Sequence, residues 1–211
     1  WGMSEGIGSC CNDDTPVSKV QTTDGRAFPG TELKIVSPEG EEIPFGDEGE
    51  LAMRGPQLFA GYLHRPDLTD AAFLSDGFLR TGDLAQMDSD GYVKITGRVK
   101  DLIIRGGLNI SPVEVEEILS GDSRITTIAL AGMPDERLGE RICAFVVPKS
   151  GAELTLEDLA DLAERSGLAK QKWPERLEIL TELPMTPTGK VQRYALKQLI
   201  TEKLTEESRT A

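Results

Sequence analysis

Residues 92–107 read YVKITGRVKDLIIRGG, and the fold turns on how this stretch is read. Val93, Ile95 and Val99 recur at a strand-like period, so the segment is expected to be extended. A second apolar run, Leu102-Ile103-Ile104, follows, and Gly106-Gly107 closes it. Charge breaks in at Arg98, Lys100 and Asp101, where a plain sheet strand gains nothing from it. One reading is an edge strand with a charged rim. The other is a joint between two domains, with cations placed to meet an anionic ligand.

Composition changes across that stretch. The chain has 211 residues, room for one or two domains that each bury a core. Its 38% apolar and 28% charged residues are ordinary for a globular protein, and its formal charge is −13. That charge argues against nucleic acid or an anionic membrane surface as the main partner. Residues 1–97 hold 7 basic and 17 acidic residues, whereas residues 98–211 hold 16 and 19, so the acidity lies mostly before the joint. Cys10, Cys11 and Cys143 have no metal-ligand spacing, and an odd, low count fits a reducing, cytoplasmic setting. His64, before Arg65-Pro66, reads as a loop residue. No apolar run approaches the roughly 20 residues that span a bilayer, and no signal peptide is visible. Because the first residue is Trp1, the expectation is a piece cut from something longer.

Before the joint, residues 17–21, 32–36, 50–54 and 78–80 read as short strands between turn signals, which predicts a small β-barrel or a distorted sheet. Residues 66–73 predict a brief helix with Pro66 near its start. The opening Trp1-Gly2-Met3-Ser4-Glu5-Gly6 sets an aromatic ring, a hydroxyl and a carboxylate among glycines. Thr81-Gly82-Asp83 predicts a tight turn. There Asp83 either caps the turn or accepts hydrogen bonds from two neighbouring hydroxyls, such as those of a ribose.

Beyond the joint the pattern becomes α+β. Ser111-Pro112-Val113-Glu114 predicts a helix start with a capping box, followed by a stripe of Val115, Ile118 and Leu119. Residues 125–132 and 141–147 predict two strands, Thr155-Leu156-Glu157-Asp158 a second capping box, and residues 177–180 a short strand. A closing helix carries Leu196, Leu199, Ile200 and Leu204 on one face and sets Lys197, Glu202 and Lys203 facing away. Between the last strand and that helix, two prolines and Gly189 in LPMTPTGKV (183–191) hold Lys190 on an irregular, exposed loop. This is not a Walker loop: Pro184 stands at the first glycine and Val191 at the Ser/Thr.

Taken in order, WGMSE, TGD, GRVKDLIIRGGLNISPVEVE and PMTPTGK resemble the adenylate-forming superfamily of acyl- and aryl-CoA synthetases and peptide-synthetase adenylation domains. The resemblance covers essentially the whole chain. Within it, LAKQKWPERL (168–177) looks most like CoA ligases for short, medium or alicyclic acids such as cyclohexanecarboxylate. The implied fold is a β-barrel-like end of the large domain over residues 1–99 and a mobile α+β domain over residues 100–211. The implied reaction joins a carboxylic acid to ATP, giving acyl-AMP and pyrophosphate, and then exchanges AMP for the thiol of CoA.

The resemblance also implies roles. Lys190 matches the catalytic lysine, Glu5 the Mg²⁺-binding glutamate, Asp83 the ribose carboxylate and Arg98 a ribose or phosphate contact. Ser4 replaces the usual threonine at a phosphate contact, and Trp1 stands where Tyr is usual beside adenine. Lys100 matches the hinge, and Gly107 lies in the turn along which pantetheine passes. Nothing resembles the family's Ser/Thr/Gly-rich phosphate loop ending in Pro-Lys-Gly, so the 211 residues alone are expected to be inactive. Two rivals stand beside the CoA ligase: an adenylation domain loading a carrier protein, and a non-catalytic nucleotide-binding or interaction module. Self-association into a homo-oligomer is left open by the sequence.

Overall fold

The computed structural model describes residues 1–210 and divides the chain after Lys100, into Trp1–Lys100 and a second unit that starts at Asp101. The division falls inside the 92–107 stretch. Val93–Arg98 is a strand, Val99–Asp101 a 3-10 turn, and Ile103–Arg105 the next strand.

The first unit begins with a two-residue ladder of β1 (Gly2–Met3) on β2 (Gly6–Ile7). β3 (Ser9–Cys10), helix α1 (Val17–Thr22) and β4 (Arg26–Ala27) follow, with β4 paired to β3. Its body is an antiparallel meander of β5 (Glu32–Val36), β6 (Glu48–Arg54), β7 (Leu79–Met87) and β8 (Val93–Arg98), with helix α2 (Pro66–Ala72) before β7. Successive residues serve opposite faces. Ile35, Leu51, Ala85 and Val93 pack on one side, Val36, Ala52 and Phe78 on the other. The sheet is open, with β5 and β8 at its edges. It does not close into a barrel, and the distorted sheet is the alternative that stands.

Two local expectations fail. Residues 17–21 are helical, not extended: Pro16 presets the entry, and its carbonyl accepts from Lys19 N and Val20 N. Val17 and Val20 are exposed, so their β-branched side chains have no core face to favour a strand. Thr81-Gly82-Asp83 is not a turn closing a strand but lies within β7, where the register against β6 slips between Glu50 and Ala52. Gly82 takes φ +72° at this bulge.

The second unit is a mixed sheet between helices. β9 (Ile103–Arg105) and β10 (Leu108–Ile110) form a hairpin, then helix α3 (Pro112–Leu119) leads to the long hairpin of β11 (Ile125–Asp135) and β12 (Gly139–Pro148). Helix α4 (Leu156–Arg165), β13 (Arg176–Ile179) and helix α5 (Arg193–Thr210) complete it, with β13 parallel to β12. Val115 and Leu119 of α3 and Leu159 and Ala163 of α4 pack with Leu130, Ile142, Ala144 and Val146. Leu196 and Ile200 of α5 pack with Ala129, Ala131, Cys143 and Phe145 from the opposite sheet face. Each fully buried leucine or isoleucine contributes about 2 kcal/mol on transfer. The hairpin β11–β12 outruns its expected ends because residues 133–135 keep pairing with residues 139–141.

The Thr155–Asp158 capping box forms as expected, with Asp158 N donating to Thr155 Oγ1 and Thr155 N to Asp158 Oδ2. At α3, Ser111 holds the N-cap position, but Glu114 turns to Lys172 Nζ at 2.6 Å in place of the cap. Lys197 and Lys203 do not face away: they reach back to Glu140 and Glu178 on β12 and β13. Long lysine stems can fold over the helix edge while the ammonium finds a carboxylate.

Candidate functional site

In the first unit the β7 bulge builds the site. Thr81 Oγ1 donates to Leu51 O at 2.7 Å and accepts from Asp83 N at 3.1 Å, while Gly82 N donates to Glu50 Oε1 at 3.0 Å. These bonds turn Asp83, only 4% exposed, out of the plain strand alternation. Arg98 is its cross-strand partner on β8, and Arg98 Nε lies 2.8 Å from Asp83 Oδ1. Trp1 Nε1 donates to Asp83 Oδ2 at 3.0 Å. The indole packs closely on Gly8, where an added Cβ would come within 2.3 Å of the ring. Trp1, Asp83 and Arg98, far apart in sequence, thus converge on one buried carboxylate. A cation and an aromatic donor each take one carboxylate oxygen and fix it, and the remaining lone pair on each oxygen suits hydroxyl donors beside a flat ring.

Ser4 and Glu5 occupy the turn between β1 and β2 and are not among the hydrogen-bond partners of Asp83. Ser4 is exposed. Glu5 is half-buried and accepts from Tyr62 Oη at 3.0 Å. Burial, and then the Glu5 hydrogen bond, push the Tyr62 phenol above its ordinary pKa, so it stays a donor. No group of three or more His, Cys, Asp or Glu side chains able to cage a metal exists among the described residues. A single carboxylate beside a hydroxyl fits a hard cation such as Mg²⁺, which keeps waters and takes its other ligands from phosphates.

The second unit carries Gly107 and Lys190. Gly106 and Gly107 form the two-residue turn between β9 and β10, at φ +58° and +86°. Positive φ at both positions is the type I′ geometry that matches strand twist, and glycine adopts it without strain. Nothing lies within 4 Å of where a Gly107 Cβ would be, so the tip is open backbone. The 183–191 segment is more ordered than an irregular loop. Met185 and Val191 pair, Thr186 N donates to Lys190 O at 2.7 Å, and Lys190 N donates to Thr186 Oγ1 at 3.0 Å. Gly189, at φ +79°, closes this turn. The Lys190 side chain is exposed, with no hydrogen bond or ion pair among the described residues, and Lys100 is likewise exposed on its 3-10 turn.

Sequence reasoning missed Glu50, Tyr62 and the pair Glu116–Arg193. A carboxylate at the head of the apolar run Leu51-Ala52-Met53 was the available signal for Glu50. Tyr62 and Arg193 gave none, because their partners lie 57 and 77 residues away.

Comparison with known proteins agrees over both units. Residues 1–63 match the AMP-binding enzyme family, and residues 114–190 match the AMP-binding enzyme C-terminal domain. The chain is 45% identical to the medium-chain fatty-acid–CoA ligase of Escherichia coli strain K12 over 93% of its own length and 35% of the relative's. It is 38% identical to the 2,3-dihydroxybenzoate-AMP ligase of Bacillus subtilis strain 168, over 97% of this chain and 38% of that one. Among solved structures, ATP-bound MatB from Rhodopseudomonas palustris superposes with a TM-score of 0.80 at 36% identity, over 84% of this chain and 35% of the other. The chain therefore spans little more than a third of the length of the relatives it matches. On motifs, fold and similarity together, it belongs to the adenylate-forming family of AMP-binding enzymes.

Proposed function

We propose that the chain is part of an ATP-dependent acid–CoA ligase: residues 1–99 end its large AMP-binding domain and residues 100–211 form its mobile small domain. The observation that carries the reading is the convergence of Trp1 and Arg98 on the buried Asp83 carboxylate. In this reading Asp83 accepts hydrogen bonds from the ribose hydroxyls, Trp1 lies beside the adenine, and Arg98 meets ribose or phosphate. Ser4 contacts phosphate and Glu5 holds Mg²⁺, which when bound neutralises phosphate charge.

The carboxylate of the acid attacks the α-phosphorus of ATP, the bond to pyrophosphate breaks, and acyl-AMP forms. Negative charge gathers on the attacked phosphate, so a positioned ammonium lowers the barrier. Lys190, unpaired and carried on a closed turn, is suited to that task. The CoA thiol then attacks the acyl carbon and AMP leaves. Rotation about Lys100 exchanges the Lys190 turn for the Gly107 turn at the nucleotide, and the bare backbone of Gly107 lets pantetheine pass. The substrate class is a short- or medium-chain carboxylic acid of cytoplasmic fatty-acid metabolism, supported by the 45% identity to the Escherichia coli ligase. Similarity to the salicyl-AMP ligase / salicyl-S-ArCP synthetase of Mycobacterium tuberculosis, at 40% identity, supports loading of a carrier thiol as the second reading.

The test is ATP–pyrophosphate exchange by the full-length enzyme across a panel of carboxylic acids, followed by CoA or carrier protein as acceptor. Acid-dependent exchange and a CoA thioester are expected. Exchange with transfer only to a carrier would select the second reading, and no exchange with any acid would leave a nucleotide-binding module. The 211 residues alone are expected to form no acyl-AMP.

A further inference from the structure

Glu50 is a carboxylate buried at 9% exposure in the middle of β6, next to Leu51, Ala52 and Met53, which are fully buried. Its two oxygens serve different partners. Oε2 faces Arg80 Nη1 at 2.5 Å, and Oε1 accepts from Gly82 N at 3.0 Å. An ion pair alone gives little reason for a carboxylate here, since an apolar pair of similar volume usually packs a sheet as well. What an apolar pair cannot supply is an acceptor for Gly82 N–H. The β6–β7 register runs from Glu50 opposite Leu84 to Ala52 opposite Arg80, so residues 81–83 bulge against Leu51. Thr81 Oγ1 takes the Leu51 carbonyl, and the Glu50 carboxylate stands in for the strand acceptor that Gly82 lacks. No atom lies within 4 Å of a Gly82 Cβ position, so the bulge is held by hydrogen bonds and not by crowding.

We propose that Glu50 is a positioning residue for the nucleotide. By gripping Gly82 N–H it fixes the left-handed bulge that aims the next residue, Asp83, at Trp1, Arg98 and the ribose. The ribose part rests on the function proposed above; the aim of Asp83 does not.

The experiment compares Glu50→Gln, which keeps an oxygen acceptor without charge, with the double variant Glu50→Met/Arg80→Met, which removes acceptor and ion pair together and leaves no orphan charge. In the 211-residue chain the readout is the NMR resonance of the Trp1 indole N–H, which reports its bond to Asp83. In the full-length enzyme it is KM for ATP against KM for the acid and kcat. The double variant is expected to fold, to move the indole resonance and to raise KM for ATP about ten-fold, the scale on which outer-shell partners act, with KM for the acid unchanged. Glu50→Gln is expected to keep the native resonance and a native KM for ATP. A folded double variant with a native indole resonance overturns the proposal, and so does a Glu50→Gln variant as impaired as the double one. If the double variant does not fold, Glu50→Leu takes its place with the same two outcomes. Asp83→Ala is the separate control: if it leaves KM for ATP unchanged, the ribose reading fails, while the indole resonance still decides whether Glu50 aims Asp83.

Discussion

Arg193 holds Glu116 with both terminal nitrogens, Nη1 donating to Oε1 and Nη2 to Oε2 at 2.8 Å. The pair also closes on the backbone of one residue of β11. Arg193 Nη1 donates to Leu130 O at 2.9 Å, and Leu130 N donates to Glu116 Oε1 at 2.6 Å. Arg193 opens α5 three residues after Lys190, and Glu116 lies on α3, so the pair ties helices from opposite sheet faces around the free edge of β11. Asp101, where the second unit starts, stands 3.7 Å from Arg193 Nε. Burial lowers the Arg193 pKa, but Glu116 and Asp101 outweigh it and raise it above the ordinary value.

Removing one partner strands the other in a largely buried site. Arg193→Met is therefore expected to destabilise the chain by about 3 kcal/mol, the scale for breaking a buried pair. Glu116→Gln in the same background should recover part of this, because its amide oxygen still accepts from Leu130 N. Urea unfolding of the native chain and these two variants measures both effects. A loss near zero for Arg193→Met would class the pair with exposed ion pairs.

Lys190 separates folding from chemistry. Its side chain is exposed and unpaired, so Lys190→Met should leave the thermal midpoint of the chain unchanged. In the full-length enzyme acyl-AMP formation should fall by about 10²- to 10³-fold, the size of a lost charge-stabilising donor. Thioester formation from supplied acyl-AMP should be much less affected if, as proposed, Gly107 and not Lys190 serves that step. An equal loss in both half-reactions would count against that division of labour.

Gly107 tests the second step. Its φ of +86° is costly for any residue with a Cβ, so Gly107→Ala should cost about 1 kcal/mol of stability. Space is not the obstacle within the chain, since no atom lies within 4 Å of the new methyl. Any loss beyond strain must come from what passes over the turn. KM for CoA in the full-length enzyme is expected to rise while KM for ATP stays native. A rise in both would point to a general displacement of the turn.

Sequence patterns are legible where the physics is local. Pro66, Thr155 with Asp158, and the stripes of α3 and α5 each announce their element within four or five residues. Residues 17–21 misled because valine favours strands only where a core face receives it, and here none does. Asp83 was readable as a carboxylate in a special backbone, yet the nature of that backbone depended on Glu50 from the neighbouring strand. The same holds for Lys197 and Lys203, whose partners on β12 and β13 lie far back in sequence. Long-range pairs were invisible until the sheets brought them together.

The second unit should also report its own acid unfolding. Cys143 is fully buried on β12, and burial, then the charge of Glu178, push its thiol up to about 12. At pH 8 a thiol reagent should label exposed Cys11, then half-buried Cys10, and reach Cys143 only after unfolding. Glu178 lies on the adjacent β13. Burial works against its charge, but Lys203 and Arg176 hold its carboxyl below the ordinary 4.5. A carboxyl depressed in the folded state contributes its full stability above its unfolded pKa and loses it as pH falls through the folded one. Stability should therefore decline below about pH 4.5, and a pyridyl disulfide, which reacts in acid, should begin to reach Cys143 there. Glu178→Gln removes the titrating group: the chain should be less stable at pH 7, and its Cys143 exposure should depend less steeply on pH below 4.5. A variant as acid-labile as the native chain would move the acid trigger away from Glu178, to the other depressed carboxylates such as Asp122 and Asp135.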